Sequence, residues 1–434
     1  MSTDIKLSRA KKGIILGILM GAIGALFSMT GIGTTFERTV GLSWLFSIRG
    51  EISPPAEVAV VAIDSRTGNQ LGLPVLPREW PRTIHAQLID ALVQRGASTI
   101  VFDMYFNKAK LPQDDLAFVE AVESANRVAL VELVTGRRQP ITDTKGRHTG
   151  SVWVEELVQP LPALVRSAKG LGTFPLPKVD AAVYEFWAFK DSVGDAPTLP
   201  AVALQIQALN VFPEWSALLE KLTIPQLAIL PDTADQVGNA EQVRTLMRTL
   251  RRTLANNPVA RSKLTELAIT EGSHSRSPRT QQLLTALTRL YTGKPQRYLN
   301  FYGPPGTINT IPYHAVIRGS DPNLEADDLD FRGKAVFVGF SDLYDPGQPD
   351  RFYTTFTGED GVDLSGVEIA ATAFGNLLTD RSIETPDAMQ TALILLAFGI
   401  AAGSIAYMFP ATTGIPLALL LAALYAVLAQ WLFN

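Results

Sequence analysis

Apolar residues are concentrated in three long stretches, one near the start of the chain and two at its end. The stretches cover residues 13–33, 388–409 and 415–433, and none of them contains a charged residue. A helix needs about 20 apolar residues to cross a hydrocarbon core about 30 Å thick. The pattern therefore predicts one transmembrane helix before and two after a soluble domain at residues 36–385, with a tight turn at residues 410–414.

The soluble domain contains short apolar runs of another kind, rich in β-branched residues and separated by polar segments. Such runs are typical of strands that are covered on both faces, as in a parallel sheet. Strands are predicted at residues 58–63, 98–103, 127–132 and 334–340, with helices at 83–94, 114–125 and 366–378. The order of elements predicts an α/β domain with a largely parallel sheet, in which the first and last strands are neighbours.

Residues 211–292 are polar and periodic in leucine, and they are predicted to form a helical insertion with helices near 241–256 and 279–291. One of these helices carries four arginines, which are Arg244, Arg248, Arg251 and Arg252. The arginines form either an anion or partner site or the solvated face of an inserted helical hairpin.

Basic residues precede the first apolar stretch, and they are Lys6, Arg9, Lys11 and Lys12. Because segments rich in Lys and Arg remain in the cytoplasm, residues 1–12 are predicted to be cytoplasmic and the soluble domain to lie outside. A cleaved signal peptide is the alternative interpretation. The stretch is longer, however, than the apolar region of about 7–15 residues that signal peptides contain.

Gly13, Gly17 and Gly21 recur at every fourth residue and therefore share one face of the first helix. Small residues at this spacing let two helices approach closely, which indicates the seam of a homodimer. The other interpretation is that glycine is simply frequent in membrane helices.

The composition narrows the range of functions. The net charge is −4 and no region is strongly basic, so nucleic acid is not an expected partner. The chain has no cysteine, which excludes disulfides and thiol chemistry. It has no phosphate-binding loop and no hydrolase or kinase motif, and its four histidines share no ligand spacing. We therefore expect no catalytic residue, no metal site and no cofactor, and we expect His85 to be a structural contact.

Aspartates follow three of the predicted strands, and they are Asp64, Asp103 and Asp342. The carboxyl ends of parallel strands meet at one edge of a sheet, where open α/β sheets bind ligands. These residues therefore predict a pocket for a cation or for a cationic or hydroxylated ligand. Trp80 and Arg82 are candidates for the same ligand site, and Arg82 is alternatively the counter-charge of the aspartates. The competing interpretation is that aspartates at strand ends cap loops and helices.

The sequence resembles a known family in two blocks. VAVVAID, EWPR and GASTIVFD, within residues 58–103, resemble the opening block of the type-2 CHASE domain, and YLNFYGPPG, GKAVFVGF and GVEIAATAFGNLL resemble its closing block. The resemblance extends over about residues 55–380 apart from the insertion, and it implies an extracytoplasmic sensor domain of bacterial cyclases, histidine kinases and serine/threonine kinases. Residues 180–184 lack the glycine and arginine of the family's Asp-Gly-x-x-Arg strand, which argues against a ligand contact there.

This resemblance implies a protein of the bacterial inner membrane whose soluble domain is periplasmic or extracellular. The family typically has three membrane helices and a cytoplasmic output domain after the sensor, whereas two helices follow it here. We therefore expect a homodimeric sensor module without enzymatic activity, which acts on an output partner or on a missing C-terminal domain. A scaffold that recruits periplasmic partners is the alternative, and an extracytoplasmic enzyme that uses the acidic residues is a third possibility.

Overall fold

The chain forms two compact units. We call them the helical unit, Met1–Ile52 with Ile383–Asn434, and the α/β unit, Ser53–Ser382. The computed structural model describes residues 2–74, 76–144, 147–179, 182–227, 230–231, 233–272, 277–322, 324–343, 345, 348, 350–357 and 361–434. Two residues of the segment that departs from the family strand, 180 and 181, lie outside the described residues.

Helices and strands alternate in the first part of the α/β unit, and helices predominate in its middle. The helices are α1 (Ser2–Ser28), α2 (Gly31–Phe36), α3 (Ser43–Arg49), α4 (Thr67–Leu71), α5 (Thr83–Gln94), α6 (Pro112–Ala125), α7 (Pro162–Ser167), α8 (Leu199–Gln207), α9 (Phe212–Glu220), α10 (Ala240–Ala255), α11 (Pro258–Gly272), α12 (Pro278–Thr292), α13 (Tyr313–Arg318), α14 (Gly366–Thr379), α15 (Ala388–Met408) and α16 (Ala411–Phe433). A π-helical turn, Glu37–Leu42, joins α2 to α3. The strands are β1 (Val58–Ile63), β2 (Thr99–Phe102), β3 (Val128–Thr142), β4 (His148–Val158), β5 (Gly170–Thr173), β6 (Lys178–Val179), β7 (Ala182–Val183), β8 (Glu185–Trp187), β9 (Phe189–Lys190), β10 (Ala196–Pro197), β11 (Gln296–Tyr298), β12 (Thr310–Pro312), β13 (Ala335–Phe340), β14 (Arg351–Phe352) and β15 (Leu364–Ser365).

The predicted fold class, an α/β domain with a largely parallel sheet, is confirmed. The central sheet has the order β12-β1-β13-β2-β3-β4, and β5 also pairs with β3. All of these strands are parallel except β4, which is antiparallel to β3. Strand β1 pairs with β13 along its whole length, from Val58 opposite Ala335 to Ile63 opposite Phe340. The first and last predicted strands are therefore neighbours, as expected.

Helices cover both faces of the sheet, which explains why its strands are continuous apolar runs. On one face, α5, α6, α7 and α13 form a single buried apolar cluster with alternate residues of β1. On the other face, α14 approaches β13 very closely. A methyl group on Gly339 of β13 would lie 2.8 Å from Cβ of Val367, so the helix can pack here only because the strand has a glycine.

The helical region of the α/β unit is larger than predicted, and it packs on the sheet. It begins with α8 and contains α11, which the sequence pattern did not predict. The buried Arg244 of α10 donates a hydrogen bond to the buried carboxylate of Glu132 (2.6 Å), and the buried Arg251 donates to the carbonyl oxygen of Gly293 (2.9 Å). The expectation of a solvated face was therefore wrong at these two arginines, because α10 packs against β5.

Three helical segments of the helical unit are long and apolar enough to cross a membrane, and they are Arg9–Ser28 of α1, α15 and α16. Helix α1 ends at Ser28, earlier than the predicted residue 33, because Thr30 begins a new helix. The hydroxyl group of Thr30 accepts a hydrogen bond from the main-chain N–H of Gly33 (3.0 Å), as an N-cap does. Helix α16 begins at Ala411, so the turn after α15 is shorter than predicted.

The glycine face of α1 packs against α15 of the same chain. Gly13 lies against Gly403 and Gly17 against Gly399, while Gly21 continues the same face, so the two helices are antiparallel. A methyl group on Gly399 would lie 2.5 Å from the carbonyl oxygen of Gly17, which means that the two backbones are in contact. A second copy of the chain could use this face only by displacing α15.

Candidate functional site

Three of the predicted site residues lie side by side at the carboxyl edge of the central sheet. Asp64 follows β1, Asp342 lies just after β13 and Asp103 follows β2, and these three strands are consecutive in the sheet. The parallel pairing extends to the edge itself, since the main-chain N–H of Asp103 donates to the carbonyl oxygen of Val338 (2.9 Å). The structure thus brings together the aspartates that the strand pattern predicts to be close.

The carboxylate of Asp64 is fully engaged with its own loop. One oxygen accepts hydrogen bonds from the main-chain N–H (2.8 Å) and the hydroxyl group (2.5 Å) of Thr67, at the start of α4. The other oxygen pairs with the Nε of Arg66 (2.9 Å). This is the capping arrangement that was the competing interpretation of a strand-end aspartate.

Asp342 connects two loops of the edge. Its buried carboxylate accepts a hydrogen bond from the main-chain N–H of Ser65 (2.8 Å), in the loop after β1. Its own main-chain N–H donates to the side-chain oxygen of Gln348 (2.9 Å). Asp342 therefore fixes the loop after β1 to the loop after β13.

Asp103 differs from the other two aspartates. It is half-buried, and its side chain makes no hydrogen bond within the described residues. Burial, followed by the negative charge of Asp350, raises the pKa of Asp103 to about 7. Two neighbouring carboxylates of this kind favour a proton, a cation or a hydrogen-bond donor between them.

Asp350 was not predicted, and it completes the cluster that we call the acidic edge, namely Asp64, Asp103, Asp342 and Asp350. It lies beside Gly366, the first residue of α14, whose main-chain N–H donates to the carbonyl oxygen of Asp350 (3.3 Å). A methyl group on Gly366 would collide with the carboxylate of Asp350. A negative charge at this position interacts favourably with the N-terminus of a helix. Among the described residues, no group of three or more His, Cys, Asp or Glu side chains is arranged to hold a metal ion.

Arg82 does not neutralise the acidic edge. Its guanidinium group is buried, where it pairs with Asp115 of α6 (2.7 Å) and donates to the carbonyl oxygen of Lys108 (2.7 Å). It also lies 4.8 Å above the ring of Phe106, and burial lowers its pKa. The interpretation of Arg82 as the counter-charge of the strand-end aspartates is therefore wrong, because its ion-pair partner is Asp115 of α6.

Trp80 belongs to a buried aromatic cluster on one face of the sheet. Its indole N–H donates to the carbonyl oxygen of Pro74 (2.7 Å), and its ring lies 5.7 Å from that of Tyr313. The same cluster contains His85, whose Nδ1 is 2.8 Å from the hydroxyl group of Tyr313. Burial, together with the positive charges of Arg82 and Lys110, lowers the pKa of His85 to about 3. The imidazole is therefore neutral at physiological pH, which agrees with a structural role.

Glu368, in the first turn of α14, is a buried carboxylic acid that sequence reasoning missed. Its Oε1 accepts a hydrogen bond from the main-chain N–H of Gly306 (2.7 Å), whereas its Oε2 has no partner within the described part of the chain. Burial raises the pKa of Glu368 to about 7, against the opposing effect of the bond from Gly306. The sequence does contain a signal, because Ser365 and Glu368 have the spacing of a capping box. The serine hydroxyl caps the helix (3.3 Å), but the glutamate binds a distant loop instead.

A surface cavity of about 550 Å³ lies at the other end of α14. It is lined by the first residues of the α/β unit, including Ser53 and Pro55, by Gln282 of α12, and by Thr379 and Arg381 at the end of α14 and beyond it. Its size is within the range of about 300–1,000 Å³ that small-molecule sites occupy. The two segments through which the chain enters and leaves the α/β unit therefore share one cavity.

Comparison with protein-family models gives a match to the family described as CHASE2 domain, over residues 18–405. The matched region includes the whole central sheet, the C-terminal part of α1 and most of α15. Searches of the curated proteins and of the solved structures gave no match.

Proposed function

The chain belongs to the CHASE2 domain family, a family of sensor-type extracytoplasmic domains, and from this premise we propose that it is a membrane-anchored sensor module of bacterial signal transduction. The α/β unit receives a signal outside the cytoplasm. The helical unit carries it through the inner membrane to an output partner or output domain. The module itself needs no catalytic residue.

The observation that carries this proposal is the course of α14. The helix begins at Gly366 beside Asp350 and ends at Thr379, shortly before the α/β unit ends at Ser382 and α15 begins. It is buried along nearly its whole length, and a close-packed interior transmits strain. A change at the acidic edge that displaces α14 therefore acts on the segment that leads into α15.

The acidic edge receives the signal in this proposal, as a cation or as a ligand that donates hydrogen bonds. Asp103 offers a carboxylate that is not already hydrogen-bonded, and Asp350 adds a second negative charge. Asp64 and Asp342 hold the surrounding loops in place and act as positioning residues. Trp80 and Arg82 support the edge from the buried core and do not contact the ligand.

The antiparallel packing of α1 and α15 supports the proposed topology. It brings the C-terminal end of α1 and the N-terminal end of α15, between which the α/β unit is inserted, to one side of the helical unit. The basic residues before α1 favour the cytoplasm for the opposite side. A homodimer would then be formed through surfaces other than the face that α15 covers.

Distance measurements in the full-length chain test the relay. Because the chain has no cysteine, Met29→Cys and Glu384→Cys introduce a pair of spin labels at the outer ends of α1 and α15. With calcium chloride as the probe, we expect the distance between the labels to change, since Ca²⁺ prefers carboxylate ligands. We expect Asp103→Asn to abolish the change and Asp64→Asn to weaken it.

The matched control is Asp90→Asn, at an exposed position of α5, which should keep the response. A chain with Asp103→Asn that folds normally and still responds to calcium would exclude the acidic edge as the receiving site. The absence of any calcium response in the otherwise unchanged chain would exclude a divalent cation as the signal.

A scaffold is the second candidate function, and the β3–β4 hairpin favours it. The outer part of this hairpin exposes the apolar side chains of Ile141, Val152 and Trp153, as a partner-binding surface does. For a scaffold, Trp153→Ala should abolish co-purification of a periplasmic partner, and calcium should leave the label distance unchanged. For a sensor, the same variant should keep the calcium response.

A further inference from the structure

The segment that follows α1 is helical and carries an apolar stripe that no described residue covers. Helix α2, the π-helical turn and α3 form one continuous segment, residues 31–49. Its exposed large apolar side chains recur at every fourth residue and are 46–75% exposed, and they are Ile32, Phe36, Val40, Trp44 and Ile48. The sequence pattern assigned most of this segment to the soluble domain.

The threonines of the segment are less exposed than the stripe, whereas Glu37 and Ser47 beside the stripe are exposed. Thr34, Thr35 and Thr39 are half-buried, although they alternate with the exposed members of the stripe. A helix that faces water has the reverse pattern, with its apolar side turned inward. Contiguous exposed apolar surface marks a site of interaction with a protein or a membrane. The stripe therefore requires an apolar environment outside the chain.

Contacts within the helical unit hold both ends of the segment at the same height along the axes of α1, α15 and α16. At its start, Gly33 packs against the carbonyl group of Phe27, in the last turn of α1. At its end, the ring of Phe46 packs edge-on against Phe433, the last residue of α16, with the ring centroids 5.0 Å apart. Both α1 and α16 run antiparallel to α15, so their C-terminal ends lie on the same side.

The length of the segment then determines its direction. At 1.5 Å per residue, residues 31–49 extend over about 28 Å. A helix of this length that starts and ends at the boundary of the apolar bundle cannot run along the membrane normal. It must run along the surface, close to the plane of the membrane.

The π-helical turn helps to keep the stripe on one face. In an α-helix, residues four apart drift around the axis, because one turn contains 3.6 residues. A π turn contains more residues, so it displaces the following side chains in the opposite direction. Its position at Glu37–Leu42, in the middle of the segment, offsets part of the drift between Phe36 and Trp44.

We propose that residues 31–49 form an in-plane membrane helix whose stripe is buried at the boundary between lipid headgroups and acyl chains. Amphipathic helices bind lipid surfaces at this depth. Trp44 of the segment and Trp431 near the end of α16 are both exposed at this level, as in the aromatic belt of membrane proteins. A lipid surface fits better than a second copy, because the stripe continues the exposed apolar surface of α1 and α16.

Site-directed spin labelling of the full-length chain tests this proposal. Single cysteines replace Ile32, Phe36, Val40, Trp44 and Ile48 in turn, in nanodiscs of phosphatidylethanolamine and phosphatidylglycerol. We expect each label to be several-fold more accessible to oxygen than to a water-soluble nickel chelate, and all five to report nearly the same depth. The matched controls are Glu37→Cys and Ser47→Cys, exposed positions beside the stripe, which should be accessible to the nickel chelate.

Three results would overturn the proposal. Depths that change steadily from residue 32 to residue 48 would mean that the segment crosses the membrane. Stripe labels that react with the nickel chelate as readily as the controls would mean that the stripe lies in water. Labels that neither reagent reaches would mean that protein, such as a second copy, covers the stripe.

Discussion

Protonation of Glu368 should control the stability of the α/β unit near neutral pH. The pKa of this buried carboxyl is raised from about 4.5 to about 7. Each pKa unit corresponds to about 1.36 kcal/mol, so the ionised carboxylate is disfavoured in the folded state by about 3 kcal/mol. Glu368→Gln keeps an acceptor for the main-chain N–H of Gly306 and removes the charge. The variant should therefore lose this contribution to the pH dependence.

The sign follows from proton binding. The folded state binds the proton more tightly than the unfolded chain, so the stabilisation is fully present below pH 4.5 and disappears as the pH rises through 7. Between pH 5 and pH 8 the loss amounts to about 2.5 kcal/mol. Over this interval the free energy of unfolding of Glu368→Gln should therefore fall by about 2.5 kcal/mol less than that of the wild type.

Urea unfolding of the full-length chain in detergent measures this difference. The fluorescence of Trp80 and Trp215, both fully buried in the α/β unit, reports on unfolding. The matched control is Glu120→Gln, an exposed position of α6, which should unfold with the wild-type pH dependence. If Glu368→Gln and the wild type lose the same free energy between pH 5 and pH 8, Glu368 is ionised in the folded state at much lower pH and the reasoning fails.

Three further predictions concern other buried contacts. Asp103→Asn should make the chain more stable at pH 8, because it removes a charge that burial and Asp350 disfavour. Urea unfolding of the variant and of the wild type at pH 8 and pH 5 tests this. Gly17→Leu should strongly lower the midpoint of thermal unfolding in detergent, because the leucine side chain would collide with the backbone of Gly399. The control Gly24→Leu should have little effect, since the nearest atom to a Cβ added at Gly24 is 4.0 Å away. Arg244→Met should destabilise the α/β unit by about 3–5 kcal/mol in the same urea assay, because it leaves the buried carboxylate of Glu132 without its partner. The double variant Arg244→Met, Glu132→Leu should recover most of this loss, because it also removes the buried charge.

The sequence predicts the central sheet well because burial on both faces makes its strands uniformly apolar. Strands β1 and β13 are examples, and their ends differ from the prediction by at most one residue. The same criterion, a continuous apolar run, does not detect the β3–β4 hairpin. Its outer residues, from Gly136 to Thr142, face solvent on both sides and therefore show no apolar run.

The candidate site was predicted less completely because it depends on tertiary contacts. Three aspartates were found since each follows a strand, and parallel strands bring such residues to one edge. Asp350 could not be found in this way, because it lies in the loop before the short strand β14 and does not directly follow a strand of the central sheet. Arg82 lies near Asp64 in the sequence, but its partner is Asp115, which only the packing of α5 against α6 reveals.

The position of β1 between β12 and β13 has a consequence for biosynthesis. Both of its neighbours lie more than 240 residues later in the chain, beginning at Thr310 and Ala335. At a translation rate of about 5–20 residues per second, β1 emerges on the order of tens of seconds before either partner exists. During this interval its apolar run and unpaired backbone are exposed, so the nascent domain should need a holding chaperone. A chain that stops before Thr310 should be degraded, because its first strand cannot enter a sheet.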